Sequence, residues 1–192
     1  AQPPGFYLST QRRDYARRHY FTRNLLRASE QRLEGLIGFL RESRIELAEL
    51  VGDPWVLETV TVLNHFATED ADHELLGRTP RGTVVRLDRR LLAAELKIAT
   101  GLVEPHFMAG WSGGRKVIAP GVAHHATVRT FHSARFMEDP LAVQCNLVGN
   151  PLHEEQLEIV RMLGEVHGLN VVLDEDRNLV HATFGDIVES HL

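Results

Sequence analysis

The chain has 192 residues, 43% of them hydrophobic and 24% charged, with a net charge of −5. That supplies one domain with a real core and argues against a general nucleic-acid binder, which needs a basic face. The single cysteine, Cys145, excludes an internal disulfide and points to the cytoplasm, and no apolar run is long enough to span a bilayer.

Residues 1–10 read as a loose arm bearing proline and glycine. From Arg12 to Leu50 the pattern is helical. Leu33, Leu36, Ile37 and Leu40 fall at i, i+3, i+4 and i+7 on one face. Gly52-Asp53-Pro54 breaks that helix. Thr59 to Leu63 is short and β-branched and predicts a strand ending at Asn64-His65. Val84 to Leu87 predicts a second strand, Leu91 to Glu95 a short helix, and Leu96 to Val103 a third, buried strand. Ala126 to Arg135 predicts a helix with His125 and His132, seven apart, on one face. Glu155 to Leu163 is an amphipathic helix after Asn150-Pro151, followed by strands at Val171 to Leu173 and Leu179 to Thr183. Alternating strands and helices predict an α/β fold: a layered, Rossmann-like domain with a mainly parallel sheet and an N-terminal helical segment.

Ligands of such sheets sit beyond the carboxyl ends of the strands. That rule selects Asn64-His65 and, more strongly, the stretch from Glu104 to Ser133, EPHFMAGWSGGRKVIAPGVAHHATVRTFHS. His106 lies just past the buried strand, where a reactive side chain is held yet reachable. Ser112, Gly113 and Gly114 let backbone N–H groups approach an anion, and Arg115 and Lys116 add charge. Lys116 could also form a covalent link if its amine were deprotonated. His132 is of the type that ligates nickel, copper or zinc. Of the eleven histidines, His124, His125, His153, His167 and His191 are expected to be solvated, and a lone Ser-Gly-Gly is common in loops.

The order and combination of these residues resemble the signature of the lactate racemase family, which depends on a nickel-pincer nucleotide. The similarity extends to Asn64-His65, to Leu76–Val85, to Gly149-Asn150-Pro151-Leu152-His153 and to Asn170-Val171-Val172-Leu173-Asp174, covering about residues 42–191. The resemblance implies His106 as an acid–base histidine, Lys116 as the tether of the cofactor, with Ser112, Gly113, Gly114 and Arg115 around it, and His132 as the nickel ligand. It implies a 2-hydroxy acid substrate, racemised or epimerised by proton-coupled hydride transfer between two opposed bases.

The second base of that family should fall near Gly38-Phe39-Leu40-Arg41, where the histidine position holds Leu40. Residues 1–41 therefore read as an arm and helix unlike the family, and residues 42–192 as the cofactor-binding domain, without the C-terminal domain that covers the site in relatives. The expectation is half of an active site, completed by a homo-oligomer or by a partner carrying the covering domain. The alternative is a non-catalytic module that binds an anion or nucleotide through its Ser-Gly-Gly-Arg-Lys loop.

Overall fold

In the computed structural model of the chain, residues 4–9, 23–27 and 54–192 are described. The apolar face of Leu33, Leu36, Ile37 and Leu40, and the Leu40 substitution, lie outside these residues. Within the N-terminal part, strands β1 (Pro4–Ser9) and β2 (Arg23–Arg27) replace the expected loose arm and part of the expected helix. The two pair antiparallel over Pro4 to Leu8. Partners distant in sequence supply this order: β2 also pairs with residues 99 and 100, and β1 with residues 61 to 65. Periodicity within the segment carries no trace of such partners.

A short helix, α1 (Pro54–Thr59), precedes β3 (Thr61–His65). Pro54 suits the first helical position, where its missing N–H forfeits no bond. The expected strand over Thr59 to Leu63 therefore begins two residues later and includes Asn64-His65. Strands β4 (His73–Arg78) and β5 (Val84–Asp88) form a separate antiparallel hairpin with an irregularity between Leu75 and Gly77. Helix α2 (Arg89–Ala93) follows, capped by the Asp88 carboxylate, which accepts from the Arg90 N–H at 2.9 Å.

The third strand of the main sheet's centre, β6 (Ile98–Leu102), leads into the candidate site: β7 (Pro105–His106), β8 (Gly110–Trp111) and helix α3 (Arg115–Ile118). Helices α4 (His125–Phe131), α5 (Ala134–Met137) and α6 (Pro151–Leu163) complete the crossover to β9 (His167–Leu173), which pairs parallel with β6. Strand β10 (Leu179–Asp186) then folds back antiparallel on β9. Its tight turn is held by Asp174, whose carboxylate accepts from the Asn178 backbone N–H at 2.8 Å and from its side-chain amide at 3.0 Å.

The sheet order is β10-β9-β6-β2-β1-β3. The mainly parallel expectation is corrected here. Only β1–β3 and β6–β9 run parallel, while β1–β2, β2–β6 and β9–β10 run antiparallel. The parallel β6–β9 pair needs a crossover, which the helices between them supply; a hairpin turn suffices for β9–β10. The core gathers Val85, Leu87 and Leu91 from the hairpin side and Ile118, Phe131, Phe136, Leu152 and Ile159 from the helices. The segment from His106 to His132 itself contributes Met108, Ala109, Val117, Ile118 and Phe131 to this core.

Candidate functional site

The site starts where β6 ends. The Ser112 hydroxyl donates to the Leu102 carbonyl at 2.7 Å and accepts from the Glu104 N–H at 2.8 Å. The Ser112 N–H donates to the Glu104 carbonyl at 2.8 Å. These bonds staple the Ser-Gly-Gly turn to the strand end. Gly113 and Gly114 follow with φ of +73° and +48°. At Gly113 an added Cβ would stand 3.0 Å from a Val103 methyl and 3.1 Å from Asn170 Oδ1. The Gly114 N–H donates to that Asn170 oxygen at 2.9 Å. So both glycines serve close packing against their own chain, and the N–H groups of Ser112 and Gly114 are already committed. The donors an anion cradle would draw on are largely spent.

His106 sits in the β7–β8 hairpin, with Phe107 stacked on it at 4.8 Å. Its Nδ1 accepts from the Ala109 N–H at 3.2 Å and from the Met108 N–H at 3.4 Å. A neutral ring that accepts at Nδ1 carries its hydrogen at Nε2. Burial pushes its pKa down to about 4, and the charges of Lys116, Arg115 and His132 act in the same direction. All four of these residues therefore converge electrostatically.

Arg115 is 1% exposed. Its guanidinium donates from Nη2 to the Ala109 carbonyl at 2.7 Å, and Nη1 lies 3.3 and 3.4 Å from the two ring nitrogens of His191. Burial lowers its pKa to about 10. Next to it, burial and then the Arg115 charge bring the Lys116 amine down to about 7. Half of such amines are neutral near pH 7 and able to act as nucleophiles.

His132 lies one residue beyond the end of α4, so the expected single helix over Ala126 to Arg135 is two helices joined at His132-Ser133. The break comes where the Ser133 hydroxyl donates to the Thr130 carbonyl at 2.7 Å, a local bond that competes with helix continuation. The His132 Nδ1 lies 2.9 Å from the Val128 carbonyl. A carbonyl only accepts, so Nδ1 carries the hydrogen and Nε2 presents a lone pair from an exposed ring. Among the described residues no group of three or more His, Cys, Asp or Glu side chains could hold a metal ion. A metal here would need donors from outside the chain, with His132 adding one.

Several histidines differ from the solvated expectation. His124 is 2% and His153 is 6% exposed. His124 caps α4, its Nδ1 accepting from the Ala126 N–H at 3.2 Å. It also joins a row of rings, His65 to His73 at 5.0 Å, His73 to His124 at 4.9 Å and His124 to His125 at 4.3 Å. Three site-supporting residues, Asn150, Asn170 and His191, make contacts that the sequence did not foretell, although Asn150 and Asn170 stood in segments resembling the family. Each acts across a separation of 40 or more positions: Asn150 donates to the Met108 carbonyl at 3.0 Å, and the His191 Nε2–H donates to the Ser112 carbonyl at 2.7 Å.

Together these features define an α/β domain whose buried loop carries Arg115 and Lys116, with His106 within their electrostatic reach. The chain matches the model of the lactate racemase N-terminal domain over residues 38–144, and it belongs to that family. It is similar to lactate racemase of Lactiplantibacillus plantarum, 33% identical over 181 residues, covering 90% of this chain and 42% of that protein. It is also similar to lactate racemase of Thermoanaerobacterium thermosaccharolyticum, 30% identical over 155 residues, covering 81% of this chain and 36% of that protein. The solved apoprotein of the Thermoanaerobacterium enzyme superposes with a TM-score of 0.74 over 77% of this chain and 35% of its own. A Thermotoga maritima protein shares the fold at a TM-score of 0.66 and 19% identity, over 77% of this chain and 41% of its own. The chain thus spans less than half the length of the relatives it matches. Among the described residues no helix is long and apolar enough to cross a membrane.

Proposed function

We propose that this chain is the part of a lactate-type 2-hydroxyacid racemase or epimerase that holds a nickel-pincer nucleotide. The observation that carries the reading is the Lys116 amine, brought down to about 7 and within charge range of His106, with Arg115 beside it. The donor set fits the group. Lys116 is a nucleophile at neutral pH and can tether it covalently, and His132 offers one bare Nε2 to a metal that brings its other ligands with it.

When bound, the nickel-pincer nucleotide supplies the acceptor for a substrate hydride. The chain's own residues do the rest. His106 is neutral at physiological pH and feels the Lys116 charge, and in this reading it exchanges a proton with a substrate hydroxyl. Because its Nδ1 accepts from the backbone, Nε2 starts as a donor. Taking a proton at Nε2 requires the ring to exchange its hydrogen to Nδ1 and release the long Ala109 and Met108 bonds. Phe107, stacked on the ring, excludes water from one side. His132 would offer the metal one ligand through a ring whose orientation is held by the Val128 carbonyl. The substrate class, a small 2-hydroxy acid, is the one that the relatives' activity suggests.

The test is direct. The protein is produced together with the cofactor's biosynthetic enzymes in nickel-replete cells, and intact mass and metal content are recorded. The expected result is an adduct on Lys116 with one equivalent of nickel, lost entirely in Lys116→Ala. His132→Ala should keep the adduct and lose most of the nickel. An unmodified mass in the wild-type chain under these conditions overturns the proposal.

A further inference from the structure

We propose that His191 is a positioning residue that anchors the Arg115 guanidinium without neutralising it, and that this uncompensated charge beside Lys116 keeps the lysine amine available as a nucleophile. Three contacts place His191 on the loop. An added Cβ at Gly114 would stand 2.6 Å from two atoms of the His191 ring, so the ring lies directly on that glycine. Its Nε2 lies 2.7 Å from the Ser112 carbonyl, which fixes the hydrogen on Nε2. Its Nδ1 is then bare, and Arg115 Nη1 lies against the ring as a whole, 3.4 Å from Nδ1 and 3.3 Å from Nε2.

The neutrality of this ring matters. Among the described residues no carboxylate pairs with Arg115. Its polar contacts are the Ala109 carbonyl and the His191 ring, and its Nε, though buried, has no partner. Buried arginines ordinarily meet a carboxylate, because leaving the charge unpaired is costly. A carboxylate here would cancel the repulsion that Arg115 exerts on a protonated Lys116. A neutral imidazole packed against the guanidinium leaves its charge in place. Burial and the Arg115 charge together keep the ring itself neutral, down to about 4. The turn bearing His191 is itself braced, since Ser190 beside it accepts from Thr183 at 2.6 Å and Asn170 reaches the Ser190 hydroxyl at 3.4 Å.

The purpose assigned to this device rests on the reading of Lys116 as the cofactor's tether, but its test needs no cofactor. Acetic anhydride at trace levels labels neutral amines, and the extent at Lys116 is followed by peptide mass spectrometry across pH in the cofactor-free protein. The wild type should show a midpoint near 7. His191→Gln, which can donate to Ser112 and accept from Arg115, should keep that midpoint. His191→Glu should raise it by half a unit or more, seen as about twofold less labelling at pH 7 or lower still. A folded His191→Glu protein with the wild-type midpoint overturns the proposal, as does a His191→Gln midpoint that moves equally far. Should His191→Glu fail to fold, Arg115→Gln removes the charge directly. Its midpoint must rise, and an unchanged one is fatal to the idea. Failure of these measurements leaves the nickel-adduct result untouched, and the reverse also holds.

Discussion

Gly114 shows how closely the loop is built at the scale of one residue. Its φ of +48° with ψ of −128° is a conformation that L side chains rarely adopt, and a Cβ there would meet the His191 ring at 2.6 Å. Gly114→Ala should therefore cost about 1–3 kcal/mol from backbone strain, with further loss if His191 is displaced. Thermal unfolding measures the cost. Lys116 labelling in the same variant should fall at pH 7, because the displaced ring no longer anchors Arg115. Unchanged stability would mean that the ring and the glycine are not in contact. By contrast His132, exposed at the end of α4, carries little of the fold, and His132→Ala should leave unfolding within about 0.5 kcal/mol of wild type. A drop of 2 kcal/mol or more would give His132 a structural role in place of the metal-ligating one.

At the scale of elements, Asn150 ties the long helix α6 to the hairpin that bears His106. Its side-chain oxygen accepts from the Leu152 and His153 N–H groups at 3.0 and 3.3 Å, capping the helix. Its amide donates to the Met108 and Asn146 carbonyls at 3.0 Å each. Removing the cap alone costs about 1 kcal/mol, and the buried Met108 carbonyl loses its partner as well. Asn150→Ala should thus lose about 2 kcal/mol and broaden the His106 ring signals in NMR, where Asn150→Asp should retain the cap but not the hairpin bonds. An Asn150→Asp protein with unperturbed His106 signals would break the link between helix and hairpin.

The helix itself was legible in the sequence, because Asn-Pro before an apolar 3.6-residue period is local information. So were β5, β6 and β9, and the stretch from His106 to His132 could be singled out because its residue types stand close together in the chain. The N-terminal strands were not legible. β1 and β2 form by pairing with β3 and β6, tens of residues away, and their own composition is no guide to that. The mixed direction of the sheet follows from the same long-range pairing. The roles of Asn150, Asn170 and His191 were hidden for a related reason. Each is an ordinary polar residue until the fold brings a carbonyl or an amide opposite it.

For the molecule as a whole, the buried histidines set a pH window. His124 and His153 are 2% and 6% exposed. Burial holds both down to about 4, helped at His124 by Arg86, His125 and His73 and at His153 by Arg115 and His191. In the unfolded chain both would titrate near 6.5. The folded state therefore binds fewer protons than the unfolded one between those values. Stability from this source is complete above about pH 6.5, declines as the pH falls and levels off below about 4. The slope is about 1.4 kcal/mol per pH unit for each group. The carboxylates with lowered pKa, Asp70 and Asp174, are exposed and titrate below this window, so they do not blur it. Urea unfolding at several pH values between 7.5 and 4.5 should show the decline. His153 offers the cleaner test, since its Nδ1 is buried without a partner and an apolar replacement removes no bond there. His153→Leu should unfold with a shallower dependence, by about 1.4 kcal/mol per pH unit across the window. A His153→Leu slope equal to that of the wild type would show that the ring is protonated in the folded protein. The burial of α6 against the site loop would then need a different account.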